Sequence, residues 1–145
     1  RHGFPQDRDK ALELYHRAAE LRCAASYRNV GNAYWSGRGV ERSNKKAIHY
    51  WELAAMGGVS EARHNLGCVD FHAGNIDRAF KHFMIAVGSG FHGSLKLIKQ
   101  LYTTGRATRD DYSKALLAYQ EYLSEIKSDQ RDKAAASDEE YKYYE

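Results

Sequence analysis

Small and aromatic residues recur along the chain at helical spacing. Ala11, Ala47, Ala79 and Ala115 stand 36, 32 and 36 residues apart, and each is followed four positions later by an aromatic: Tyr15, Trp51, Phe83 and Tyr119. Positions seven and eight beyond each alanine extend the stripe as Ala18 and Ala19, Ala54 and Ala55, Ala86 and Val87, and finally Tyr122 and Leu123. An i, i+4, i+7, i+8 pattern lays one face along a helix, here termed helix B. Alanines let a neighbouring helix approach closely, and the aromatic fills the space they leave. A second helix, helix A, is predicted to begin at Ser26, Ala62 and Ser94 in SYRNVGNAYWSG, ARHNLGCVDFHAG and SLKLIKQLYTTG. Its packing stripes are Ser26, Val30, Tyr34, then Ala62, Leu66, Asp70, then Ser94, Ile98, Tyr102. Nothing alternates at period two, so no strand is predicted. Self-similarity at this period predicts a stack of helix pairs, an architecture that builds extended binding surfaces more readily than buried catalytic pockets.

Glycine marks the turns, at Gly37, Gly39 and Gly105 between A and B, and at Gly57, Gly58, Gly88 and Gly90 between B and the next A. Gly31 and Gly67 fall inside helix A, where glycine costs about 1 kcal/mol relative to alanine, so a close helix contact is the expected compensation. Lys99 holds that position in the last unit, and packing there should be looser. Asp9, Asn44, Asp77 and Asp111 precede the four alanines closely enough to cap helix B or meet its positive end.

The string SYRNVGNAYWSGRGVERSNKKAIHYWELAAMGG resembles, nearly end to end, a Sel-one-like repeat (SLR), a relative of the tetratricopeptide repeat (TPR). Residues 62–90 are similar to a degenerate copy with Asp70 at the family's tyrosine, and residues 94–125 to another with Lys99 and Ala107 in place of glycines. Residues 8–22 resemble helix B of a unit without its helix A. The resemblance implies an all-α, right-handed α-solenoid of antiparallel helix pairs over residues 8–125. It also implies a non-enzymatic adaptor or scaffold that binds other proteins or peptides. The first unit is only half present and the chain opens on Arg1, so it reads as part of a longer protein.

Residues 126–145 break the pattern; ten of the twenty are charged. A frayed helix through Ala136 and then a disordered end is expected, with the closing YKYYE a solvated terminus in preference to a docking motif. Of the 145 residues 43% are apolar, 28% are charged and the mean hydropathy is −0.72, which fits a folded, well-solvated chain. No run approaches the ~20 apolar residues of a membrane helix, so no membrane insertion is expected. A net charge of +3, with both signs interspersed, gives no clustered basic stripe. Cys23 and Cys68 occupy different repeat positions, which argues for free thiols and a reducing compartment such as the cytoplasm. The open ends of the array invite self-association.

Opposite the packing stripe, helix A presents Arg28, Asn32 and Ser36, then His64, Cys68 and His72, then Lys96, Gln100 and Thr104. These nine residues form a polar ladder that, on the inner wall the resemblance implies, would bind a peptide or a partner helix. The row His64, Cys68, His72 also carries a metal-binding alternative, but i to i+8 drifts by ~80° around a helix, which strains three ligands on one ion. No cofactor is expected. No nucleophile, base and orienter come together in the sequence, and SGRGV lacks the strand, lysine and hydroxyl of a phosphate loop. Nucleic acid is the rival partner class, through Arg28, Arg63, Lys96 and Lys99 with Tyr34, Trp35 and Tyr102, and is disfavoured by the dispersed charge.

Overall fold

The computed structural model describes residues 10, 12, 13, 16 and 23–143. The half unit expected over residues 8–22, with Asp9, Ala11, Tyr15, Ala18 and Ala19, lies outside the described residues apart from those four positions, and so do the last two residues of the closing YKYYE. Six helices follow in order, with no strand among the described residues: α1 (Ala24–Ser36), α2 (Asn44–Met56), α3 (Ser60–His72), α4 (Ile76–Gly88), α5 (His92–Thr103) and α6 (Arg109–Tyr143). Odd-numbered helices are the predicted A helices and even-numbered ones the B helices. Each packs on the next, α4 also reaches α6, and the result is an all-α solenoid of helix pairs.

The seam between A and B in the first two pairs is an aromatic seated on a glycine. Trp51 and Phe83 are buried, as are Ala47, Ala54, Ala79 and Ala86 of the same stripes. A Cβ placed on Gly31 would run into the Trp51 indole, and one on Gly67 would fall 2.5 Å from Phe83 Cε1. Glycine is there because the ring needs the space, which accounts for a residue otherwise unfavourable inside a helix. The final pair lacks this seat: Lys99 is exposed and Tyr119 is only half-buried. Asp70, on the packing stripe, is answered by α4 through His82 Nε2 at 3.4 Å and Arg78 Nε at 3.8 Å.

Helix ends depart from the sequence expectation in detail. Gly37 closes α1 at φ +73°, a left-handed cap that suits glycine. Ser43, not Asn44, caps α2, its hydroxyl accepting from the Lys46 N–H at 3.2 Å. Asp77 lies inside the first turn of α4, favourable for the helix dipole, and Asn75 makes no side-chain cap. Asp111 works as one half of a capping box: the Thr108 N–H donates to its carboxylate at 3.0 Å, and its own N–H donates to Thr108 Oγ1 at 3.0 Å. Hydrogen bonds to the charged form hold the Asp111 carboxyl below the usual carboxylate range.

The C-terminal helix does not end at Ala136. Helix α6 runs for 35 residues to Tyr143, although from Leu123 to Asp138 every side chain except the half-buried Ile126 is exposed. Three consecutive alanines and an i, i+4 pair between Asp129 and Lys133 at 3.2 Å favour helix locally without burying anything.

Two glycines separate the packing claim from simple helix propensity. Gly67→Leu should destabilise the fold by about 1–3 kcal/mol in urea unfolding, because the new side chain must displace a buried ring. Gly88→Ala, at the end of α4 with nothing within 4 Å of the new Cβ, should be neutral or stabilising by up to ~1 kcal/mol. Equal behaviour of the two variants would contradict the seam.

Candidate functional site

A groove opens between successive A helices. It has a volume of about 430 Å³ and is lined by Asn32 and Trp35 of α1, Trp51 of α2, and Glu61, Asn65, Cys68, Val69 and His72 of α3. The same aromatic that fills the α1–α2 seam supports this surface: Trp51 is buried, its ring tilts against Trp35 with centroids 5.2 Å apart, and its Nε1–H donates to Asn32 Oδ1 at 2.9 Å. That bond fixes the orientation of the Asn32 amide, and the Nδ2 donors face no bonded partner among the described residues. The Asn65 amide likewise makes no hydrogen bond among them. At one mouth Arg28 Nη1 and Glu61 Oε2 close on each other at 3.3 Å, leaving the lining nearly neutral.

The nine ladder residues divide. Asn32, Cys68 and His72 meet in this groove. Gln100 and Thr104 line a separate cleft of about 160 Å³ between α3 and α5, with Phe71, Leu97 and Arg106. The Arg106 guanidinium lies over the Phe71 ring at 5.6 Å there. Arg28 is spent on Glu61 at the rim, and Lys96 is exposed outside both clefts. Two hydroxyls are turned to their own helices: Ser36 donates to the Asn32 carbonyl at 2.9 Å and Thr104 to that of Gln100 at 2.8 Å.

His64 does not belong to the exposed ladder. Its ring packs against Phe83 and Phe91, with centroids at 5.5 and 4.8 Å, and its Nδ1 is 2.7 Å from the fully buried Ser94 Oγ. Cys68 Sγ lies 3.5 Å from its Nε2. Burial pushes the Cys68 thiol up and the His64 imidazole down, the latter opposed by Glu61, so the pair is a neutral thiol beside a neutral imidazole. Among the described residues no three His, Cys, Asp or Glu side chains gather to hold a metal ion. The metal alternative therefore finds no ligand cluster.

Glu61 and Asn65 are absent from the sequence expectation, and Trp35 appears there only as a stacking residue for nucleic acid. The ladder was drawn with strict four-residue steps, which drift around a helix of 3.6 residues per turn. The straight row on α3 is Glu61, Asn65, Cys68, His72, with steps of four, three and four, and His64 falls behind it toward α5. A mixed three-and-four spacing is the signal that would have found the groove.

Comparison with known proteins follows the same lines. Residues 1–23 and 24–59 match the model of the Sel1 repeat. The fold is similar to that of a protective antigen from uropathogenic Escherichia coli strains that displays an SLR fold, with a TM-score of 0.65 and 28% identity over 82% of this chain. It is also similar to a Sel1 repeat protein from Oxalobacter formigenes, with a TM-score of 0.64 and 23% identity over 80% of this chain, a likeness of fold alone. The matched regions span 26% and 49% of those two chains.

Two expectations separate the roles of these residues. Asn32→Ala leaves the buried Trp51 N–H without an acceptor and should cost about 1–3 kcal/mol, whereas Asn65→Ala should stay within ~0.5 kcal/mol. Chemical denaturation of both variants reads the difference. For pH, burial is the leading cause that lowers His82 as well as His64. Asp70 and Glu52 oppose this at His82, while Arg63 and Arg78 reinforce it. A base with a depressed folded pKa leaves the unfolded chain to take up the proton first, so stability is full above about pH 6.5 and declines as pH falls through it. The melting temperature should drop between pH 7.5 and 5, with a shallower slope in His82→Gln; a flat wild-type profile would show that these imidazoles are not buried neutral.

Proposed function

Because this chain belongs to the Sel1-like repeat family, we propose that it is a non-enzymatic protein-interaction scaffold whose partner lies in the groove between α1 and α3. The observation that carries this reading is the groove lining: beside the apolar surface of Trp35 and Val69, the Asn32 Nδ2 donors and the Asn65 amide make no hydrogen bond among the described residues, while Asn32 Oδ1 is held by Trp51. Amides of this kind pair with the backbone of an extended peptide, and the indole seats one of its side chains. Along α1 about two helical turns, ~10 Å, separate Arg28 from Trp35, and along α3 about three, ~16 Å, separate Glu61 from His72, which is the reach of roughly three to five extended residues. The groove is open, and burial raises the pKa of the Cys68 thiol in its wall, away from the thiolate a nucleophile needs.

Nucleic acid is the weaker reading because two of its four cations, Arg28 and Arg63, are committed elsewhere. Arg28 pairs with Glu61, and the Arg63 guanidinium donates to the Ala55 carbonyl at 3.4 Å. A near-neutral groove also lacks the phosphate contacts that dominate nucleic-acid affinity.

A photo-crosslinking residue placed at Asn65 or His72 in the full chain, with Ile85 on the exposed face of α4 as the reference position, tests the proposal. Groove positions should yield a discrete protein adduct that survives raised salt and is absent from Ile85. Crosslinks only from Ile85, no groove adduct, or adducts to RNA would each overturn it.

A further inference from the structure

A second cavity, of about 490 Å³, lies where α1 and α2 meet His16, and shares no lining residue with the groove. Its composition is one-sided. Lys45 and Lys46 contribute ammonium groups and His16 and His49 imidazoles, while the hydroxyls come from Ser43, Tyr34 and Tyr50. Every described lining side chain thus carries a hydrogen-bond donor, and none is a carboxylate, in a chain with 22 basic against 19 acidic residues.

The donors are held in place. The Tyr34 and Tyr50 rings stack at 5.8 Å and 6°, Tyr27 stacks on Tyr50 at 6.2 Å, and Lys46 Nζ lies 5.4 Å from the Tyr34 ring centre. His16 bridges the two phenols, with Nε2 3.5 Å from the Tyr34 hydroxyl and Nδ1 3.4 Å from that of Tyr50. Where a ring nitrogen donates to a phenol oxygen, that phenol's own hydrogen is free to point at a further acceptor. Burial raises both phenol pKa values, so these groups stay O–H donors.

A ligand that satisfies several convergent donors and two or more positive charges is a compact oxyanion with many acceptor lone pairs. We propose that this cavity binds the phosphoryl group of a phosphate monoester. A monoester carries about −1.5 to −2 charge and three terminal oxygens. A phosphodiester of nucleic acid offers one charge per linkage, and the stacked tyrosines give a base little ring surface to share.

Calorimetric titration of the full chain with O-phosphoserine, adenosine monophosphate, inorganic phosphate and serine tests this directly, with a ten-nucleotide RNA lacking terminal phosphate as the comparison. Phosphoserine should bind saturably at one site and serine should not. A nucleotide no tighter than phosphoserine would identify the phosphoryl group itself as the ligand, whereas a much tighter one would replace this proposal with a nucleotide site. The double variant Lys45→Ala, Lys46→Ala should weaken phosphoserine binding about tenfold, and Tyr50→Phe about threefold, with unchanged circular dichroism. Lys114→Ala, which removes only the exposed partner of Asp110, should bind as wild type. No saturable phosphoserine binding, or equal affinity in the lysine variant, overturns the proposal. So does RNA binding that is tighter than phosphoserine and falls steeply with salt. Titration with small molecules is independent of any partner in the groove, so this test fails or succeeds separately from the scaffold reading.

Discussion

The fold depends on one recurring contact, an aromatic of a B helix resting where the preceding A helix has no side chain. Trp51 on Gly31 and Phe83 on Gly67 bring the two helices of a pair close enough for the alanines beside them to be fully buried. Close-packed interiors tolerate neither a void nor an added methyl at such a point. Where the contact is lost, in the last pair, Lys99 stays in water, Tyr119 is half-buried, and α6 extends far past its neighbours instead of ending with them. The seam therefore sets how far the ordered packing of the array reaches.

The same ring connects packing to recognition. A buried indole must satisfy its N–H. Trp51 does so on Asn32, and in doing so fixes the direction in which that amide presents its donors to the groove. Stability and surface chemistry are thus coupled through one hydrogen bond. The equivalent B-helix position in the next pair is Phe83, which has no polar atom. There His64, Phe91 and Ser94 supply the contacts between repeats, and the corresponding cleft between α3 and α5 is smaller.

The helix pairs were legible because their signal is periodic and repeated: Ala47, Trp51, Ala54 and Ala55 all lie on the buried face, and Gly31 and Gly67 were correctly tied to close contact. The groove was legible only in part. Of the expected ladder Asn32, Cys68 and His72 line it; Glu61 and Asn65 lie outside that expectation and Trp35 entered it only as a stacking residue, since which residue turns into a cleft is decided by a few tens of degrees of helical phase. His64 shows the opposite failure: a polar residue on an apparently solvated face is drawn inward because a neighbouring repeat offers two aromatic rings and a buried hydroxyl. The α6 extension was misjudged for a third reason. Poverty in apolar residues argues against burial, and was read as arguing against helix, but local propensity and i, i+4 pairing hold a helix without a core. The donor-only cavity escaped notice because a charge average cannot see Lys45, Lys46, His49 and the distant His16 converge.

Consecutive residues of α2 supply both surfaces. Tyr50 and Trp51 are ~100° apart around the helix, so one points to the donor-lined cavity while the other supports the groove. On α1, Tyr34 and Trp35 divide in the same way. Each surface is thus built from a pair of rings in contact, Tyr34 with Tyr50 and Trp35 with Trp51. A small rotation of α2 against α1 would shift the two surfaces together, because neither ring pair can follow the motion without the other. Gly31 is where Trp51 is seated between the two helices. The tightness of that seat holds the two surfaces in fixed relation, and a partner that engages one of them acts on a wall shared with the other.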